Sequence, residues 1–162
     1  MKIISTAMNG GPIPDKYGKR GTDFNQFGVP VRSIPFSVED APAETVSYAL
    51  LLEDKDAVSV CGFSWVHWTA AGIKKQVMEE NASQEAGDFV QGINSWFGSC
   101  GREGALGYGG MTPPDRPHRY ELHVFALDIV PKLQNGFYVD DLFRAMEGHV
   151  LEQMTVTGTY DN

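Results

Sequence analysis

The run Thr45-Val46-Ser47-Tyr48-Ala49-Leu50-Leu51-Leu52-Glu53-Asp54 constrains this chain more than any other stretch. Its β-branched and aromatic residues favour extended backbone, and its centre is continuously apolar instead of alternating. A strand with one face in water alternates apolar and polar side chains, so an unbroken apolar run needs partners on both faces. The run therefore predicts a strand in the middle of a sheet, with periodicity alone leaving a short buried helix open. At 162 residues and 17.8 kDa the chain is large enough for one core without staples, and a single domain over 1–162 is expected.

Further segments read as strands. Lys2 to Ala7 is short and apolar, Asn9 to Gly28 is a polar loop, and Val31 to Val38 is extended. The turn Glu39-Asp40-Ala41-Pro42 predicts that the last of these pairs antiparallel with the Thr45–Asp54 strand. In Phe63 to Ile73, alternation places Phe63, Trp65 and His67 on one face and Ser64, Val66 and Trp68 on the other. His118 to Ile129 alternates most clearly, with Tyr120, Leu122, Val124 and Ala126 opposite Arg119, Glu121, His123, Phe125 and Leu127. A short helical turn is expected between Lys74 and Ala86, and an ordered irregular segment from Ser95 to Pro117. Val139 to Met154 predicts a helix, because Leu142, Phe143, Met146, Val150, Leu151 and Met154 recur at helical spacing behind Asp140 and Asp141. Thr155 to Tyr160 returns to a β pattern. With 18 Gly and 9 Pro to make turns, the chain is expected to be mainly β.

Charge and motif content exclude several functions. A formal net charge of -8 repels the nucleic-acid backbone and anionic membrane surfaces, so no nucleic-acid partner is expected. Neither a secretory leader nor a bilayer-spanning run is visible, which predicts a cytoplasmic protein without stable membrane insertion. Cys61 and Cys100 are expected as free thiols. Gly107 to Gly110 is followed by Pro113-Pro114 and cannot open the helix of a dinucleotide site. His67, His118, His123 and His149 lack metal-ligand spacing, so neither a metal nor a cofactor is expected.

Three stretches remain for chemistry. Glu53-Asp54-Lys55-Asp56-Ala57 ends the apolar strand, and its carboxylates either tie down their own loop or orient a nearby imidazole. His67, between Trp65 and Trp68, is either a satisfied core histidine or a ligand contact. Tyr108-Gly109-Gly110-Met111-Thr112-Pro113-Pro114, followed by His118-Arg119-Tyr120, is either a tight loop or a cradle whose backbone N–H groups approach an anion.

Asp54-Lys55-Asp56-Ala57, Trp65-Val66-His67-Trp68, Gly107 to Pro114 and His118-Arg119-Tyr120, in this order, resemble the phosphatidylethanolamine-binding protein family. Ala145 to Leu151 and Gly158-Thr159-Tyr160 resemble its bacterial branch, the Raf kinase inhibitor-like proteins. The resemblance implies a central antiparallel sheet packed on a smaller sheet, with short peripheral helices. It also implies a shallow pocket for phosphate-like groups, walled here by Asp54, Asp56, Trp65, His67, Gly110, Pro113, His118 and Tyr120. Members usually carry prolines where this chain has Lys55 and Val58, and Met111 and Thr112 are also unusual and expected to narrow the mouth. Arg119 alternates away from His118 and is assigned a structural ion pair with the acidic loop.

A binding protein for a small anionic ligand is thus expected, with a regulatory protein partner and a homodimer both left open. Two other functions compete with it. One is a hydrolase using His67 or His118 as general base, for which no paired nucleophile is apparent; the other is a kinase or protease regulator acting by protein contact.

Overall fold

The computed structural model describes residues 1–162. Its elements run β1 (Lys2–Ile4), β2 (Phe36–Glu39), β3 (Ser47–Asp54), α1 (Val58–Cys61), β4 (Trp65–Ile73), β5 (Val77–Met78), β6 (Val90–Gln91), α2 (Phe97–Ala105), β7 (His118–Leu127), α3 (Val139–Met146) and β8 (Val150–Tyr160). Five strands form one sheet in the order β6-β4-β3-β7-β8, and β1-β2-β5 form a second. Every strand pairing is antiparallel.

The apolar run is the middle strand of the larger sheet, and both its faces are covered. Tyr48, Leu50 and Leu52 meet Trp68, Leu122 and Val124, and the smaller sheet closes this layer with Phe36, Val38 and Met78. Ala49 and Leu51 face the other way, against Phe125, Leu127, Phe137, Leu142 and Met146. Helix α3 supplies the last two and so shields the outer face. A strand sandwiched in this way has no position where a polar residue could reach water, which is why its centre is apolar throughout.

Several expectations are corrected. The strand starting near Val31 begins only at Phe36 and does not pair with β3; it joins β1 and β5 instead. The turn at Asp40 leads the chain from one sheet into the other. Lys74 to Ala86 holds β5 and turns, with no helix, whereas the irregular Gly-rich segment contains α2, broken where Gly101 adopts φ +65°. The helix over Val139–Met154 ends at Met146, and Val150 to Met154 belong to β8. Gly148, at φ +77°, lets the backbone reverse there, and the next strand repeats apolar residues on an exposed edge. Leu142 and Met146 are buried as expected, but Phe143 and Val150 are exposed.

Alternation in β4 also fails at two points, of which one shapes the site. Opposite Leu52 and Glu53 the register skips His67, so His67 and Trp68 both turn toward the layer between the sheets. Such a bulge adds one residue to one strand and re-aims a side chain. Cys61 and Cys100 are free, and no helix is long and apolar enough to cross a membrane.

Truncating the middle strand should be costly. Leu50→Ala is expected to lose about 2–5 kcal/mol, lowering the melting temperature by roughly 2–4 °C per kcal/mol. Calorimetry that found the melting temperature unchanged would contradict the central position of β3.

Candidate functional site

Register builds the site. Asp54, the last residue of β3, is paired with Trp65 of β4 and with Tyr120 of β7. Directly opposed residues share a sheet face, so these three side chains form a row. His67 and His118 stand two residues along from Trp65 and Tyr120, on the same face. Together with Ala57, Val60, Cys61, Trp96, Thr112, Pro113 and Pro114 they enclose a cavity of about 190 Å³. That lies below the ~300–1,000 Å³ of pockets for drug-sized molecules and suits a head group or a small ion.

The polar groups of this cavity are tightly tied. His118 is hydrogen-bonded through Nδ1 to Asp54 Oδ2 at 2.6 Å and through Nε2 to Asp115 Oδ1 at 2.9 Å. The other Asp54 oxygen accepts the Ala57 N–H at 3.2 Å, fastening the loop into α1. His67 donates from Nδ1 to the Gly109 carbonyl at 2.5 Å and stands edge-on to Tyr120, ring centroids 5.2 Å apart. Burial pushes the His67 pKa down, against the opposing pull of the Gly109 carbonyl and Asp54. It therefore enters the site as a neutral ring. Burial, reinforced by Asp54, pushes the Tyr120 phenol up, so it keeps its proton. The Tyr120 hydroxyl and the Trp96 indole N–H are buried with no hydrogen-bond partner in the protein.

Of the residues expected at the site, Asp54, Trp65, His67, Pro113, His118 and Tyr120 line the cavity, whereas Asp56 and Gly110 do not. Asp56 is a loop anchor, accepting the Arg119 N–H at 2.9 Å and facing the Arg116 guanidinium at 3.4 Å. The expected Arg119 ion pair is thus corrected: its backbone meets the acidic loop, and the charge comes from Arg116. Gly110 is needed for close approach, since a Cβ there would collide with the Tyr17 carbonyl oxygen. The N–H groups of Gly109 and Gly110 do not face a ligand either; they donate to His67 O and Pro30 O, both at 2.8 Å. Met111 is a core residue, not part of the mouth, while Thr112 does line it. Trp96, Val60 and Cys61 were missed. Trp96 sits beside α2, whose glycines mask helical periodicity, and α1 is too short to show any.

Two antiparallel sheets with a small, partly apolar pocket at the ends of the central strands define the class of protein. Residues 4–161 match the family model described as phosphatidylethanolamine-binding protein, and the chain belongs to that family, within its bacterial branch. A Bacillus subtilis protein called uncharacterized protein YxkA is 41% identical over 152 residues, covering 89% of this chain and 90% of that one. The UPF0098 protein of Chlamydia muridarum is 36% identical, with 99% of both chains covered. Among solved structures, a putative phosphatidylethanolamine-binding protein homolog from Chlamydia trachomatis superposes with a TM-score of 0.80 at 32% identity, covering 99% and 96%. Escherichia coli YbcL shares the fold, with a TM-score of 0.78 at 22% identity, covering 99% and 98%.

On the outer face of the same sheet, Glu53, Glu121 and His123 bring potential metal-ligating atoms within 4.8 Å of one another. Here the cluster closes on itself. His123 Nε2 donates to Glu53 at 3.1 Å, Ser64 to Glu53 at 2.6 Å, and the Lys55 ammonium to Glu121 at 2.6 Å. The hydrogen bond from His123, with help from Ser64 and Lys55, outweighs burial and holds the Glu53 carboxyl down at about 2. A carboxyl depressed on folding stabilises the fold above its unfolded pKa, and that contribution disappears as pH falls through the folded value. Glu53→Gln should therefore cost on the order of 1–2 kcal/mol near neutrality, allowing for solvent screening. The gap to the parent should close between the usual 4.5 and about 2, as denaturant titrations at several pH values would show.

Proposed function

We propose that this protein binds a small phosphate- or carboxylate-bearing ligand in the Asp54–His67–His118–Tyr120 cavity and does not itself carry out nucleophilic catalysis. One observation carries the reading: Tyr120 and Trp96, both lining the cavity, each bury a donor that no protein atom accepts. Leaving a buried donor unmade costs about 1–3 kcal/mol, a cost that a bound oxyanion removes. The acidic chain as a whole repels anions, so capture depends on these local donors.

The hydrolase reading lacks an activated nucleophile. Among the lining residues, the Thr112 hydroxyl donates to Gly110 O at 3.3 Å and the Cys61 thiol to Ala57 O at 3.3 Å, neither to a histidine. A regulatory role through protein contact has its own support. Val58, Phe63 and Phe97 are exposed beside the lining residues, and Phe63 stacks on Trp65 at 5.8 Å. Exposed apolar groups around a pocket suit a partner that covers ligand and rim together.

Tyr120→Phe keeps the ring and removes the donor. Calorimetry with inorganic phosphate should show affinity reduced by roughly 10- to 100-fold, the effect of losing a hydrogen bond to a charged group. Unchanged affinity in a folded variant would remove the cavity from consideration as the anion site.

A further inference from the structure

The hydrogen-bonding groups left free in the cavity form an unequal set. Both His118 nitrogens are engaged by Asp54 and Asp115, and the second Asp54 oxygen is engaged by Ala57. The Gly109 and Gly110 N–H groups serve backbone carbonyls. What remains is two buried donors without a partner, the Tyr120 hydroxyl and the Trp96 indole, and one ring nitrogen that makes no hydrogen bond within the protein. That nitrogen is His67 Nε2. A carbonyl oxygen can only accept, so the Gly109 contact fixes the ring's proton on Nδ1. The ring is 3% exposed, and the groups that face it are the backbone carbonyls of Gly109 and Gly110, Asp54 from β3, and His118 and Tyr120 from β7. Burial in this setting opposes a second proton, so Nε2 presents a lone pair with no protein partner.

We propose that the pocket selects oxyanions that carry their own proton: a ligand O–H donates to His67 Nε2 while the other oxygens accept from Tyr120 and Trp96. The inference rests on the oxyanion reading of the cavity and narrows it. Inorganic phosphate retains a proton throughout the neutral range. Sulfate and dialkyl phosphates present acceptors alone, so one of their oxygens would lie against the His67 lone pair. Phosphomonoesters fall between, losing the required proton as pH rises through their second ionisation near ~6. A site built around such a complement discriminates strongly, because the wrong ligand leaves a buried polar group unpaired.

Calorimetry on the full chain tests this with inorganic phosphate, sulfate, methyl phosphate and dimethyl phosphate. Near neutrality phosphate should bind at least about tenfold more tightly than sulfate or dimethyl phosphate. Sulfate does not ionise between mildly acidic and mildly alkaline pH, so its profile reports titration of the protein. The ratio of methyl phosphate to sulfate affinity should fall as pH rises through that range. In His67→Leu, checked for folding by its melting transition, the preference for phosphate over sulfate should shrink toward unity. The parent-protein comparison stands without that variant. Sulfate binding within about twofold of phosphate overturns the inference and leaves the oxyanion site standing. Failure of all four ligands to bind removes the oxyanion site itself, and this inference with it.

Discussion

The double-sided burial of β3 is the constraint on which the rest of the structure depends. Its ladder to β7 is continuous from Ser47 to Asp54, its ladder to β4 runs from Tyr48 to Asp54 with two register shifts, and each face of the strand contributes to a different core. Because side chains alternate with a period of two, a slip of one residue would exchange those faces wholesale. Leu51 would be driven between the sheets, and Glu53 would replace Asp54 in the cavity row. The packing that stabilises the domain is thus the same packing that aims the acidic end of β3. Where strict alternation would not place His67 beside Tyr120 with Trp68 in the core, the bulge in β4 satisfies both demands.

The two faces of the sheet end handle polar groups differently. Outside, Glu53, Glu121, His123, Lys55 and Ser64 satisfy one another, and a closed network of this kind rigidifies without leaving anything for a ligand. Inside, Asp54 and His118 are equally well tied, but Tyr120 and Trp96 are not. The unfinished bonding lies in a cavity walled largely by Ala57, Val60, Trp65 and the two prolines, where few waters fit and each missing partner is felt strongly. Incomplete satisfaction on the cavity side, beside a closed network on the outer side, is what distinguishes the two faces of this sheet end.

The acidic loop shows how one chain replaces a device common in its family. With Lys55 and Val58 in place of prolines, the loop has no ring-fixed dihedrals to hold it. It is held by bonds instead: Asp54 to the Ala57 N–H, Asp56 to the Arg119 N–H and the Arg116 guanidinium, and Lys55 across the sheet to Glu121. Val58 is free to enter α1, which carries Val60 and Cys61 to the rim of the cavity.

What the sequence determined by itself was whatever depends on local period and residue chemistry. The continuous apolar run marked the middle strand, the alternation of His118 to Leu127 marked its neighbour, and the order of the acidic, aromatic and glycine-proline segments pointed to six of the cavity's residues. Tertiary structure alone decided the features set by distant partners. The β2 strand left β3 for another sheet because its pairing depends on β1 and β5, not on the turn that follows it. Val150 to Met154 had a helix-like spacing that the left-handed Gly148 and a full ladder with β7 overrode. Trp96 carried no local signal, since it becomes a wall only when Ser95 pairs with Val66 at the edge of β4. Asp56 and Gly110 had the right chemistry and the right loops, yet neighbours claimed them first. Sequence states which groups a residue offers; only the assembled fold determines which of those groups remain unspent.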